Sequence, residues 1–365
     1  QFIMTLIFFG LTSGAAVLTA QYWGKGDTRT IEKVMGIALR FSLIVAAVFF
    51  LAAEAVPELI MRLFTGDEAV VGQGAVYLRI VAPSYLFSSV TMVYLNIMRS
   101  VERVVVSMVV FLISLLANIA LNALFIFGLF GLPAMGIAGA AVATVIGQWV
   151  SGIMVILFNL KFNPEVQLHK KYLPLEGKTV APILTVGIPS IVMNGIGSVM
   201  NFGINQILQG FAETATGVFG VYFKLQSFVF MPIFGMNNGM VPIISYNYGA
   251  RRPNRVKKTI KLAVCYAEGI MLAGFCIFQF LPDKLLGLFA ASDAMLAIGI
   301  PAMRIICLHF LLAGVSIVLS SVFQALGNGV FSLIVSVCRQ LFVLLPAAWL
   351  LAQTGSVNNV WWAFL

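Results

Sequence analysis

Uncharged polar side chains recur at helical spacing inside apolar stretches of this chain. Asn118 and Asn122 lie four residues apart, and Thr144 and Gln148 have the same spacing in the next stretch. Positions separated by four residues share one face of a helix. Polar groups are costly in hydrocarbon, so each pair predicts either the wall of a cavity or a hydrogen bond between helices. We favour the cavity wall.

A second polar stripe lies further along the chain. Asn194, Asn201 and Asn205 recur at positions i, i+7 and i+11, which is one face of a helix. The next apolar stretch carries Lys224 and Asn237. The two stretches predict a polar seam, which we interpret as a cavity wall rather than as contacts that only join helices.

Two charged residues stand at the middle of predicted spans. Glu268 and Lys224 each lie about ten residues from the end of an apolar segment. A carboxyl at that depth is held neutral, paired with a cation or used to carry a proton. We favour the first two, with Lys224 as the partner of Glu268, and keep ion coupling as the weaker alternative.

Residue types that catalyse reactions or hold metals are scarce. The two histidines, His169 and His309, are far apart, and no metalloprotease, serine-hydrolase or phosphate-binding motif is present. The four cysteines have no CxxC spacing, so we expect free thiols. The sequence therefore predicts that the protein is not an enzyme and has no cofactor.

The composition identifies the elements that position these residues. Hydrophobic residues make up 61% of the chain and charged residues 10%, against about 25% charged residues in soluble domains. The mean hydropathy is +1.01. At about 20 residues per crossing, the sequence predicts an all-α, polytopic membrane helix bundle. The predicted spans are 1–20, 34–56, 71–97, 105–128, 136–159, 179–210, 214–245, 258–281, 295–323 and 331–353, with another beginning near 358.

The chain also repeats itself at a constant offset of 225 residues. The matched features are Phe9-Gly10 with Phe234-Gly235, Gly14 with Gly239, Gly24 with Gly249, Pro57 with Pro282, Leu63-Phe64 with Leu288-Phe289, and Arg79-Ile80 with Arg304-Ile305. Such a repeat predicts two pseudo-symmetric six-helix lobes with a solute site near the midplane. We expect an N-terminal lobe over 1–159, a cytoplasmic linker over 160–178 and a C-terminal lobe over 179–365. By the same offset, we expect that the first lobe lacks its first helix and part of its second, and that the last helix is incomplete.

The net charge of +9 is unevenly distributed. Sixteen of the 22 lysines and arginines lie in or beside four alternate loops, around 21–33, 99–103, 160–178 and 250–257. Positive charge marks cytoplasmic loops. We therefore expect these loops to lie in the cytoplasm of a plasma-membrane protein, next to anionic lipid headgroups, and we expect no nucleic-acid partner.

Four stretches carry a recognisable pattern: Ala20-Gln-Tyr-Trp-Gly-Lys-Gly-Asp27, the segment 118–128 followed by 136–144, Gly187-Ile-Pro-Ser190, and Pro242-Ile-Ile-Ser-Tyr-Asn-Tyr-Gly-Ala250. Together they resemble the multidrug and toxic compound extrusion (MATE) family of transporters. The resemblance covers essentially the whole chain. It implies two six-helix lobes around a central cavity and export of amphiphilic, cationic small molecules by antiport with Na⁺ or H⁺.

The resemblance also bears on individual residues. Asn118 and Thr144 match the family's polar positions, and Asn122 stands where many members carry a carboxylate. The identity of the coupling ion therefore stays open between Na⁺ and H⁺. We expect a monomer whose partners are a small-molecule substrate and membrane lipid.

Three alternatives remain at this point. A lipid-linked oligosaccharide flippase or polysaccharide exporter of the same superfamily should line its cavity with arginines, and the spans offer only Arg79, Lys224, Arg304 and Arg339. A major facilitator transporter should carry a basic Gly-Asp motif, which residues 21–33 fit poorly. A membrane-embedded enzyme is the least favoured because it lacks a catalytic set.

The charge distribution gives a topology test. A cysteine that replaces Lys170 should not react with an impermeant maleimide added to intact cells, because the positive loops face the cytoplasm. A cysteine that replaces Lys284, on an opposite loop, should react, and the protein without either change measures the background. Ready labelling at position 170 would reverse the predicted topology.

Overall fold

The computed structural model describes residues 2–131, 133–163, 166–167, 177–211, 213–289 and 291–365. Over these ranges the chain is helical, with turns between the helices and no strand. It forms two compact units, Gln1–Ile188 and Pro189–Leu365. The all-α membrane fold predicted from the sequence is confirmed.

The helices follow the predicted spans closely. Up to the middle of the chain they are α1 Phe2–Lys25, α2 Thr28–Ala55, α3 Pro57–Arg62, α4 Glu68–Val81, α5 Ser84–Ser100, α6 Val104–Phe127, α7 Gly136–Phe162 and α8 Gly177–Gln209. The remainder are α9 Glu213–Gly249, α10 Pro253–Phe280, α11 Pro282–Gly287, α12 Asp293–Ile306, α13 Phe310–Ala325, α14 Gly329–Val337, α15 Leu345–Ala352 and α16 Val357–Val360. A π-helix over Cys338–Leu344 joins α14 to α15.

Among the described residues, nine helices are long and apolar enough to cross a membrane, or ten if one bent pair counts as a span. That pair is α4 and α5, which the sequence presented as one span; the two helices are bent by 53°. Pro83 lies at the bend and has no backbone N–H to continue the helix. The Ser84 hydroxyl donates to the carbonyl of Val81 at 2.7 Å, which satisfies a backbone acceptor there.

The repeat extends to the ends of the helices. The bounds of α2, α3 and α4 reappear in α10, α11 and α12 after an offset of 225 residues, and those of α6 reappear in the joined α14–α15. Three left-handed backbone positions repeat in the same way: Gly26 pairs with Arg251, Glu102 with Gly327, and Phe130 with Gly355. The two halves therefore share helix bounds and backbone conformations even at positions where their side chains differ.

The loop between α1 and α2 shows why its sequence is Gly-Lys-Gly-Asp. Gly26 has a φ of 76°, a conformation that glycine adopts without steric cost. Asp27 then caps α2 by accepting from the backbone N–H of Thr30 at 3.1 Å. The hydroxyl of Thr30 also donates to this carboxylate and holds the pKa of Asp27 below its usual value. A cap of this kind satisfies a backbone donor that the first turn leaves open.

Glycines let α1 and α8 approach closely within the first unit. A Cβ atom at Gly14 would overlap the carbonyl oxygen of Ile183, and one at Gly187 would lie 3.0 Å from the carbonyl oxygen of Gly10. Close backbone approach through small residues is a common way for helices to pack in lipid. The apolar core of this unit lies around residues such as Ile31, and that of the second around Tyr222.

The predicted linker begins later than expected, because α7 continues to Phe162. Its first described residues are packed rather than extended into solvent. The Asn159 amide donates to the carbonyl of Val166 at 3.2 Å, and Asn163 donates to Asn159 at 3.1 Å. The backbone N–H of Gln167 donates to Glu32 of α2 at 3.3 Å. These bonds fix the chain as it leaves α7.

The remainder of the linker, residues 164–165 and 168–176, lies outside the described residues. It includes position 170, which the labelling test uses.

The left-handed positions give a stability prediction. Arg251→Gly should stabilise the fold by up to about 1 kcal/mol, because a non-glycine residue with positive φ is strained. Gly26→Ala, at the repeat-related position, should destabilise it by about 1 kcal/mol. No atom lies within 4 Å of the added methyl group, so strain alone would act.

Thermal or SDS-induced unfolding in detergent measures both changes. Gly66→Ala is the control, since Gly66 also has open space but no positive φ. Equal effects at positions 26 and 66 would contradict the strain argument.

Candidate functional site

In the first unit, the predicted polar residues of α6 form a hydrogen-bonded pair. The side-chain amide of Asn122 donates to the side-chain oxygen of Asn118 at 2.9 Å. Asn118 lies against α7, where a Cβ at Gly147 would be 3.4 Å from its amide nitrogen. Both asparagines are half-buried. Gly147 thus leaves room on α7 for the polar pair of α6.

The predicted polar residues of α7 lie on either side of Gly147 in the sequence. Thr144 is one turn from Gly147, and its hydroxyl donates to the carbonyl of Ala140 at 2.9 Å. Gln148 accepts a hydrogen bond from the Ser88 hydroxyl of α5 at 2.9 Å. The sequence analysis missed Ser88. Its only signal was a hydroxyl in an apolar stretch, and the pairing with Gln148 depends on how α5 packs against α7.

The asparagines of α8 follow a different pattern. The Asn194 amide donates to the carbonyl of Ser190 at 2.7 Å, and the Asn205 amide donates to the carbonyl of Asn201 at 3.0 Å. Each donor is therefore satisfied one turn earlier on its own helix. None of these side chains is fully buried.

Asn237 of α9 is the most deeply buried of the predicted polar residues. Its side chain is 5% exposed, and within the described part of the chain neither its amide nitrogen nor its oxygen has a hydrogen-bond partner. It therefore forms no hydrogen bond with the asparagines of α8. The α8 and α9 sides of the predicted polar seam are not joined by a hydrogen bond at Asn237. An unsatisfied buried amide is costly, which makes Asn237 a site of interest in the second unit.

The proposed pair of Glu268 and Lys224 is wrong. These two described residues form no ion pair, and Lys224 is exposed, with its amine 6.0 Å from the ring centre of Phe289. Glu268 instead lies against α13. A Cβ at Gly314 would overlap its Oε1 atom, and that oxygen is buried without a hydrogen-bond partner. The long side chain of Lys224 extends toward the loop before α12, which explains why the two charges do not meet.

The fold and this arrangement can now be compared with known proteins. A family model described as MatE matches residues 1–124 and 189–350. The chain belongs to the MatE family. Among its MATE relatives, the probable multidrug resistance protein YoeA of Bacillus subtilis is 23% identical over 99% of this chain and 79% of the relative. The multidrug export protein MepA of Staphylococcus saprophyticus is 23% identical over 98% and 77%.

Solved MATE structures have the same fold. The MATE multidrug transporter DinF-BH is 30% identical, with a TM-score of 0.85 over 99% of this chain and 80% of that one. A MATE protein solved in a bent conformation reaches a TM-score of 0.92 at 21% identity, over 100% and 80%.

The protein is therefore a multi-pass transporter of the cell membrane and not an enzyme. The membership also excludes the major facilitator alternative. The binding roles predicted for the individual polar residues stay predictions.

The contact between Glu268 and Gly314 gives a structural test. Gly314→Ala should destabilise the protein by about 1–3 kcal/mol, the usual cost of overpacking, because its methyl group overlaps the Glu268 carboxyl and lies 3.1 Å from the Met271 Cγ atom. Unfolding in detergent measures the loss.

Gly269→Ala is a matched control on α10, since a Cβ there has no atom within 4 Å. Glu268→Ala in the Gly314→Ala protein should recover part of the lost stability. No recovery would show that the carboxyl is not the group that the methyl displaces.

Proposed function

We propose that this MATE protein exports amphiphilic small molecules, cationic ones among them, by antiport with Na⁺ or H⁺. Its relatives are named as multidrug resistance and multidrug export proteins, and a structural relative is named as a multidrug transporter. The observation that carries the proposal is the half-buried Asn118–Asn122 pair beside Gly147. Amide and hydroxyl groups recognise varied ligands through hydrogen bonds without demanding a single charge or shape.

The same proposal covers the partners and the coupling ion. The protein works as a monomer in contact with lipid, and it needs no cofactor other than the coupling ion. Asn122 has no charge to titrate, so another, titratable side chain must exchange the ion if the ion is H⁺. Glu268 is our candidate within the described residues, because its Oε1 atom is buried at mid-span with no hydrogen-bond partner.

Reconstitution in liposomes tests this function. An imposed Na⁺ or H⁺ gradient should drive accumulation of a cationic dye, and added ATP should not change it. Dye movement that requires ATP and ignores both gradients would refute antiport.

Two carboxyl variants then address coupling. Glu268→Gln should reduce gradient-driven accumulation by about tenfold or more, because coupling free energies between two sites are typically about 1–3 kcal/mol. Glu54→Gln, an exposed residue at the end of α2, should not. Unchanged transport by Glu268→Gln would leave the function in place and remove only the role of Glu268.

A further inference from the structure

Arg339 lies at the centre of the last long apolar segment. The joined α14–α15 spans Gly329–Ala352, and Arg339 is ten residues from one end and thirteen from the other. A guanidinium group keeps its charge in proteins. A charge at this depth normally faces protein or a water-filled space and marks a functional site.

The helix places Arg339 on the face that also packs against protein. Ser332, Ser336 and Arg339 recur at positions i, i+4 and i+7, one face of a helix. Ser332 and Ser336 are both buried. The Ser332 hydroxyl donates to the carbonyl of Ser320 at 2.7 Å and accepts from the Gln324 amide at 3.4 Å, so this face packs toward α13.

Within the described part of the chain, Arg339 has no acidic partner. Among the described residues it forms no ion pair within 4.0 Å, and its electrostatic neighbour is His309 at the start of α13. Glu268, the one carboxyl at mid-span among the described residues of this unit, lies against Gly314 instead. Arg339 nevertheless remains an exposed residue. Its five N–H donors are thus available to an anion that enters from outside the chain.

The local helix is unusual at the same place. Cys338–Leu344 is a π-helix, whereas the corresponding part of α6 is a regular α-helix. π-helical turns are rare and are frequent at functional sites. The repeat mate of Arg339 is Ser114, one turn before Asn118. Arg339 therefore occupies the second unit's counterpart of the polar segment that the first unit uses for its candidate site.

We propose that Arg339 binds the anionic group, a carboxylate, of amphiphilic substrates, and that it thereby selects among them. This assignment rests on the proposed export function and adds a specificity determinant to it. A planar guanidinium donates two parallel hydrogen bonds to a carboxylate. A lysine would offer only a point charge, so Arg339→Lys should retain part of the recognition.

Binding of matched dyes to the purified protein in detergent tests this directly. The probes are a xanthene dye with a free carboxylate and its methyl ester. Arg339→Gln should weaken binding of the carboxylate dye by about tenfold or more, as expected for a lost hydrogen bond to a charged group. Binding of the ester should change less than about twofold, and Arg339→Lys should fall between. Arg304→Gln, an exposed arginine of α12, is the control.

Equal losses for both dyes would indicate a structural role and overturn the proposal, and so would no loss for either. If the Arg339→Gln protein does not fold, the native protein still tests the proposal. Equal affinity of the native protein for the carboxylate dye and for its methyl ester would overturn it. A change in binding of phosphatidylglycerol without a change for the dye would assign Arg339 to a lipid headgroup instead. Dye binding needs no ion gradient, so the two proposals can fail separately. If gradient-driven transport fails while the protein still prefers the carboxylate dye, antiport is refuted and the Arg339 site is not.

Discussion

Hydrocarbon cannot accept or donate hydrogen bonds, and this constraint governs the protein from its backbone to its candidate site. The backbone satisfies itself by forming helices wherever the chain is apolar. Polar side chains largely do the same, since Ser114, Thr144 and Asn194 each donate to a carbonyl one turn earlier on their own helix. Such bonds need no partner helix, so a polar residue in a span is not by itself evidence of a binding site.

Against this background the unsatisfied groups become informative. The Asn237 amide and the Glu268 Oε1 atom are buried without partners, and Arg339 has no acidic partner among the described residues. These three belong to the second unit, whereas the unsatisfied buried side-chain atoms among the described residues of the first unit are the hydroxyls of Thr19, Ser42 and Thr91. In the first unit, the Asn122 amide donates to the Asn118 side chain, and Asn118 faces Gly147. The two units therefore have related backbones and different chemistry at mid-span.

The repeat explains how that difference arises without a change of fold. Several helices end at left-handed residues or turns, and three left-handed positions recur at the 225-residue offset even where glycine is replaced, as at Arg251. Side chains at mid-span do not set helix ends. Ser114 and Arg339 occupy equivalent positions and differ fully in charge. Duplicated helices thus preserve the scaffold while the residues that could meet a substrate diverge.

The sequence by itself determined the membrane class, the spans, the repeat and the family, because each depends on hydropathy, helical period or motif order, which are local properties of the chain. It also placed Asn118 and Asn122 on one helix face. Only the tertiary structure decided which distant groups meet. It paired Gln148 with Ser88, placed Glu268 against Gly314 rather than beside Lys224, and bent the span at Pro83. These outcomes depend on how helices far apart in sequence pack, and helical periodicity carries no information about a residue's partner on another helix.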